Sequence, residues 1–400
     1  MTLGEFGRIR YWTGERQAAA WQAARGVVVG IGDDAAVVEP LPDGPADGVG
    51  WRQLLTVDTM VETVHFLPET MTEEDIGYKA LAANISDIAA MGGLPRHALV
   101  TVSAPPHWGP ERLRRLYDGL YRCAEDYGVA VVGGDTTSAP QHLVVSVTLT
   151  GAVERGSELV RAGARPGDAV FVTGPLGRSA AGLHYLLAAE RKGRVADASG
   201  DGASAEQVAA SENVPGGGTG AEPARLTEAA EADGTAALVR AHRRPRPSVE
   251  AGRWLAASGA CRSLNDVSDG LASEAWEIAE ASGVSLVLRE DWLPRAGSLT
   301  SYGSAVGIDP LTWMLYGGED YALVGTIDAD AVATAKTELG RLGIPFYVIG
   351  QALPADGSPE VWLERLAEGA GASRREPLKR GGYDHFASSI QEERTDRHDS

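Results

Sequence analysis

Cysteine is nearly absent: the 400 residues contain only Cys123 and Cys261, with no C-x-x-C pair. That excludes a disulfide framework and a structural zinc site, and it suits a reducing cytoplasm. Long apolar runs are also missing; none approaches the ~18 to 20 residues of a membrane span. The opening "MTLGEFGRIRYWTG" has no apolar signal-peptide core, so a soluble, cytoplasmic protein is expected. Positive charge is scarce: 36 Lys and Arg face 55 Asp and Glu, a formal charge of −19. Such a field repels nucleic acid and anionic membrane, and neither is an expected partner. The common nucleotide-binding devices are lacking too: no G-x-x-x-x-G-K-[ST] loop, no complete G-x-G-x-x-G fingerprint and no protein-kinase signature set.

What is present is an ordinary globular composition, 44% apolar and 23% charged, on a chain long enough for two domains. Short Val-rich segments at 26–31, 53–58, 98–103, 129–133 and 143–150 predict strands. Between them, 73–91 predicts a helix with Leu81, Ile85 and Ile88 on one face, Thr72 and Asp75 as a capping box, and a terminal "GG". A second helix is predicted over 110–127, with Pro110 at its start and Leu113, Leu116, Leu120 and Cys123 on one face. These elements make a first α/β domain, 1–152. The pattern restarts with the strand 169–174 and continues through the strand 285–290 and the segments 316–327 and 344–350, giving a second domain, 153–388. Residues 191–236 interrupt it: they hold four basic and eight acidic residues, are rich in Ala, Gly and Ser and contain no aromatic residue. Too little apolar mass is present to offset ordering entropy, which predicts a disordered insertion; a frayed tail is expected over 389–400.

Carboxylates recur at strand ends and beside glycines: Asp33 and Asp34 in "GIGDDAA", Asp58 in "TVDT", Asp87 in "NISDIAAMGG", Asp135 in "VGGDTT", Asp266 and Asp269 in "NDVSDGL", and Glu319 and Asp320 in "GGEDY". Singly, each reads equally well as a turn or a cap. Asp87 resists that reading, because its stripe (Ala80, Asn84, Asp87, Met91) borders the apolar stripe of the helix and a charge there needs a partner. No Lys/Arg cluster supplies one. Oxygen ligands without Cys or clustered His suit a hard cation, Mg²⁺ foremost, and metal ions layered between carboxylates and phosphates point to nucleotide-dependent phosphoryl transfer.

The ordered series "GIGDDAA", "VDTMVETVHF", "GYKALAANISDIAAMGG", "GGDTT", "VSDGL", "GGEDY" and "GGYDHF" resembles the thiamine-monophosphate kinases, of the superfamily that includes aminoimidazole ribonucleotide synthetase. The resemblance implies two mixed α/β domains, each a sheet covered by helices, and a homodimer joined through the N-terminal domains. It implies ATP and thiamine monophosphate as substrates, with several Mg²⁺ ions between them. Asp34, Thr56, Val57, Asp58, Asp87, Asp135, Asp266 and Asp269 match metal ligands, Val57 through its carbonyl alone. Gly134, Asp135, Arg161 and Ser268 match nucleotide contacts, and His65, Glu319 and Tyr383 match the acceptor pocket. No essential general base is implied. Rivals are another ATP-dependent member of the superfamily, acting on a ribonucleotide amide or selenide, and a non-catalytic nucleotide sensor.

Overall fold

The main sheet of the N-terminal domain is formed by β3 (Trp51–Val61), β4 (Leu94–Ala104), β5 (Ala130–Ser138) and β6 (Val144–Glu154), which follow a short pair of β1 (Val27–Val29) and β2 (Val37–Val38). This structure, a computed structural model, describes residues 11–14, 16–29, 37–38, 50–199, 234–366 and 373–381. The order is β3-β6-β4-β5, antiparallel except for the parallel β4–β5 pair. Helix α1 (Ala19–Ala23) leads into the hairpin, while α2 (Glu73–Ala90) and α3 (Pro110–Tyr127) cover one face of the four-stranded sheet. Among the described residues, no helix covers the other face. Its row Val57–Thr148–Leu99–Gly133 leaves Val57 60% and Leu99 43% exposed, beside Leu55 at 71%.

Both predicted helix boundaries hold to within a residue. Thr72 Oγ1 accepts from Asp75 N at 3.2 Å and Asp75 Oδ2 accepts from Thr72 N at 3.3 Å, the reciprocal cap expected of that spacing. Helix α3 begins on Pro110 and ends at Gly128 in the left-handed conformation. Helix α2 departs from the amphipathic reading, because fifteen of its residues are buried, including Lys79, Asn84 and Ser86. The reason is a third neighbour. Beyond the sheet and α3, α2 packs on the C-terminal domain, and Ala89 and Ala90 belong to a core shared with Leu159, Phe171, Ala251 and Leu255.

That domain is a seven-stranded sheet in the order β13-β12-β9-β11-β7-β10-β8. Its strands are β7 (Ala169–Val172), β8 (Cys261–Asp266), β9 (Val284–Arg289), β10 (Leu323–Ile327), β11 (Tyr347–Pro354), β12 (Val361–Leu366) and β13 (Ser373–Pro377). Its helices are α4 (Arg178–Ser199), α5 (Thr235–Arg243), α6 (Val249–Ser258), α7 (Leu271–Ser282), α8 (Gly297–Val306), α9 (Pro310–Tyr316) and α10 (Val332–Arg341). Cores lie on both faces of this sheet. Helix α4 runs to Ser199, past residue 191 where the sequence places the start of the insertion; the helical pattern of 178–190 carries on into the Ala-rich segment. Helix α5 begins at Thr235, and 200–233 lie outside the described residues. At the seam between the domains, a Cβ added to Gly252 of α6 would stand 2.1 Å from Ala89 O, so only glycine lets α6 and α2 touch backbone to backbone.

Candidate active site

The seam gathers acids from both domains. Strand β3 runs along α2 and directs Thr56 and Asp58 at that helix: Thr56 Oγ1 donates to Asp87 Oδ2 at 2.5 Å, and Asp58 N donates to Asn84 Oδ1 at 3.1 Å. Asn84 is itself fixed by donating to Ala80 O at 3.0 Å. The Asp58 and Asp87 carboxyls share a hydrogen bond, and burial pushes both above the usual carboxylate range. For Asp58, the charges of Asp87 and then Asp269 push further in that direction, whereas the Thr56 hydroxyl and the Arg161 cation draw Asp87 back.

From the C-terminal domain, β8 delivers Asp266 to the same place. Ser86 Oγ of α2 donates to Asp266 Oδ2 at 2.6 Å, a buried bond that spans the two domains. Burial, and next the Asp87 charge, raises the Asp266 carboxyl to about 7. Beyond Asp266, the chain turns through Val267–Gly270 and meets the loop Gly317–Ala322. Glu319 N donates to Ser268 O at 2.6 Å, Tyr321 N to Val267 O at 2.9 Å and Val267 N to Ala322 O at 2.7 Å. The two loops are thus joined by their backbones. Glu274, raised by burial beside Glu277, accepts from Asp269 N at 3.0 Å and from Asn265. Asn265 Oδ1 in turn accepts from Arg161 Nε at 3.1 Å, and Glu277 pairs with the same guanidinium at 3.2 Å.

Of the residues singled out in the sequence, Thr56, Asp58, Asp87, Asp266 and Asp269 are brought together, with Arg161, Ser268 and Glu319 bordering them. Asp34 and Tyr383 lie outside the described residues. Asp135 stands apart: its register partner is Thr101, one step out of phase with the row Asp58–Val147–Val100–Gly134, which places it on the open face of the sheet. Val57 likewise turns its side chain to that face. Gly134 has a packing requirement of its own, since at φ 153° a Cβ would stand 1.9 Å from Val100 O. His65 sits in the turn after β3, where its Nδ1 accepts from Val61 N at 3.0 Å. Sequence reasoning missed Lys79, Asn84, Ser86, Asn265 and Glu274. The first three lie on α2, and the available signal for that helix was Ala, Leu and Ile on all its sides over 80–90, the mark of a helix enclosed by its neighbours.

The donor set around the seam is entirely oxygen, which fits a hard cation. Among the described residues no three acids, His or Cys close around a single point as a self-sufficient metal site. Mg²⁺ does not need that, because it commonly keeps water and takes one or two carboxylates together with phosphate oxygens.

The fold and this seam define a class, the AIR synthase-related proteins. Residues 32–153 match the model of the AIR synthase related protein N-terminal domain, and residues 208–361 match that of the C-terminal domain. The thiamine-monophosphate kinase of Bacillus subtilis (strain 168) is 39% identical over 326 residues, covering 81% of this chain and 85% of that protein. The crystal structure of thiamine-monophosphate kinase from Stenotrophomonas maltophilia K279a superposes with a TM-score of 0.66 at 29% identity, covering 88% of this chain and 95% of that one. A third relative, AaThiL complexed with AMPPCP and TMP, gives a TM-score of 0.62 at 29% identity over 96% of this chain and 99% of that one. Within the class, the chain belongs to the thiamine-monophosphate kinase family and is a phosphotransferase.

Proposed function

We propose that this chain transfers the γ-phosphoryl group of ATP to thiamine monophosphate, releasing thiamine diphosphate and ADP. The observation that carries the reading is the meeting of Thr56, Asp58 and Asp87 from one domain with Asp266 and Asp269 from the other. Acids buried together at this density are costly unless cations neutralise them. Asp58, Asp87, Asp266 and Asp269 would hold Mg²⁺, with Asp34 as a further ligand. Bound there, the metal supplies charge neutralisation between two polyanions.

The residues of the chain do the positioning. Arg161, aimed by Asn265 and Glu277, offers a planar fork to a phosphate group. Ser268 and Gly134 border the nucleotide, and His65, Glu319 and Tyr383 border the acceptor. A phosphomonoester has a second pKa of ~6, so the acceptor is largely ionised at neutral pH and requires no strong general base. Transfer is direct and in line, with inversion at phosphorus. The chain acts in the cytoplasm as a homodimer, joined through the open face that carries Leu55, Val57 and Leu99.

The test is ADP release from Mg·ATP on addition of thiamine monophosphate, with thiamine and unrelated phosphomonoesters as controls. ADP is expected only with thiamine monophosphate. ATP binding without ADP release would make the chain a sensor, and turnover with a ribonucleotide amide or selenide would move it elsewhere in the superfamily.

A further inference from the structure

Lys79 is one of the largest side chains completely enclosed among the described residues. It lies on α2 among Ala80, Leu81, Ala82 and Ala83, where methionine or leucine would pack with no charge to desolvate. A buried ammonium is unfavourable without an opposite charge, and even with one it commonly stabilises no better than an apolar pair. The counter-charge here comes from the other domain: Lys79 Nζ meets Glu319 Oε2 at 2.5 Å.

Glu319 occupies a position that most side chains avoid. Its φ is 64° and that of Tyr321 is 51°, two left-handed non-glycine residues within three positions. The turn is held in this state from three sides. Ser268 O and Val267 O accept its backbone N–H groups. Lys79 takes the Glu319 carboxylate from α2. His242 of α5 stands with Nδ1 3.4 Å from the same Oε2 and 3.2 Å from Ser179 Oγ. Burial beside the Lys79 and Arg243 cations pushes the imidazole down to about 2, so His242 adds no second positive charge. Both contacts use Oε2, and Glu319 keeps 29% of its side-chain surface exposed at the seam.

We infer that Lys79 is a positioning residue for the acceptor: it neutralises and orients Glu319 through Oε2, so that Oε1 is presented to the substrate as a fixed hydrogen-bond acceptor. This rests on the placement of Glu319 in the acceptor pocket made above. Its charge is already matched by Lys79, so it selects the acceptor by geometry and not as an unopposed counter-ion to a cationic ring. Lys79 joins α2, the 317–322 loop and α5 without touching the acceptor.

The test uses the full chain with Lys79→Met, Glu319→Gln and the double variant. Lys79→Met is expected to raise the KM for thiamine monophosphate at least tenfold and to leave the KM for ATP within twofold. Because the pair acts as one unit, the double variant should be no worse than the worse single variant. Unchanged KM values, equal rises for both substrates, or multiplying effects in the double variant would each overturn the inference. If Lys79→Met fails to fold, the double variant, which leaves no orphaned charge, carries the same KM comparison; a wild-type acceptor KM in it overturns the inference. Amide exchange of 317–322 in the ligand-free protein is the readout independent of substrate. It should quicken at least tenfold in whichever of Lys79→Met and the double variant folds, and unchanged exchange overturns the inference. Faster exchange in a chain whose wild type releases no ADP with thiamine monophosphate would refute the proposed substrate while leaving the positioning of the loop by Lys79 in place.

Discussion

Asp87 bonds to Thr56 and Asp58, and with Asp58 and Asp266 it crowds charge into a buried space. An arrangement that costs stability and persists is the signature of a working site. Asp87→Asn is therefore expected to abolish turnover while raising the unfolding temperature of the cation-free protein by ~1 to 3 °C, read by calorimetry beside the ADP assay. Near-normal turnover would remove Asp87 from the catalytic group. His242, faced by Lys79, Arg243, Ser179 and Glu319, gives a pH signature of the opposite origin. Burial and the neighbouring cations hold its folded pKa at about 2, below the ordinary imidazole value of 6.5, so below pH ~6.5 the unfolded chain binds a proton that the folded chain refuses. Stability from this residue is complete above pH ~6.5 and falls as pH falls. Urea titrations at pH 5 and 7.5 should show a smaller difference for His242→Gln than for the wild type. Asp58, Asp87, Asp266 and Asp269 were legible in the sequence because glycine and hydroxyl neighbours flag acids poised at chain turns. Lys79 was not, since a lone lysine on a helix reads as solvent-facing until the second domain closes over it.

Helices announced themselves better than strands. The Thr72–Asp75 cap and Pro110 are local devices that act within one turn, so the boundaries of α2 and α3 could be read without knowing their neighbours. Strand β13, "SRREP", carries no apolar alternation; it exists because its backbone pairs with β12, a contact invisible to local pattern. Strand β8 mixes buried Ser263, Asn265 and Asp266 with Leu264, so its polarity hides a central role. At this scale the close approach of α6 to α2 is the sensitive point. Gly252→Ala should cost ~1 to 3 kcal/mol in urea denaturation, because the obstructing atom is a backbone carbonyl that cannot rotate away. The same change should lower kcat by prising Ser86 from Asp266. Full turnover in a destabilised Gly252→Ala protein would show that the seam tolerates widening.

For the whole molecule, the two sheets are used differently. The seven-stranded sheet is covered on both faces, whereas the four-stranded one leaves Leu55, Val57 and Leu99 uncovered in neighbouring positions. Exposed apolar side chains grouped on one sheet face fit an isologous contact with a second copy. The wild type is expected to sediment at twice 41.9 kDa, and Leu55→Lys with Val57→Lys at the single mass. A monomeric wild type would refute the dimer. Nothing in the sequence marks this face, because Val and Leu alternating with Thr and Gln describe any half-buried strand.

Helix α2 belongs to neither domain alone. Sheet, α3, α6 and β8 surround it, and its buried residues reach from Asp75 to Ala90. A chain with two sheets would ordinarily be expected to melt in two stages, yet here removing either domain strips one side from the same helix. The consequence is cooperativity: both domains should unfold in a single transition, and the amides of α2 should exchange with deuterium only when the entire molecule opens.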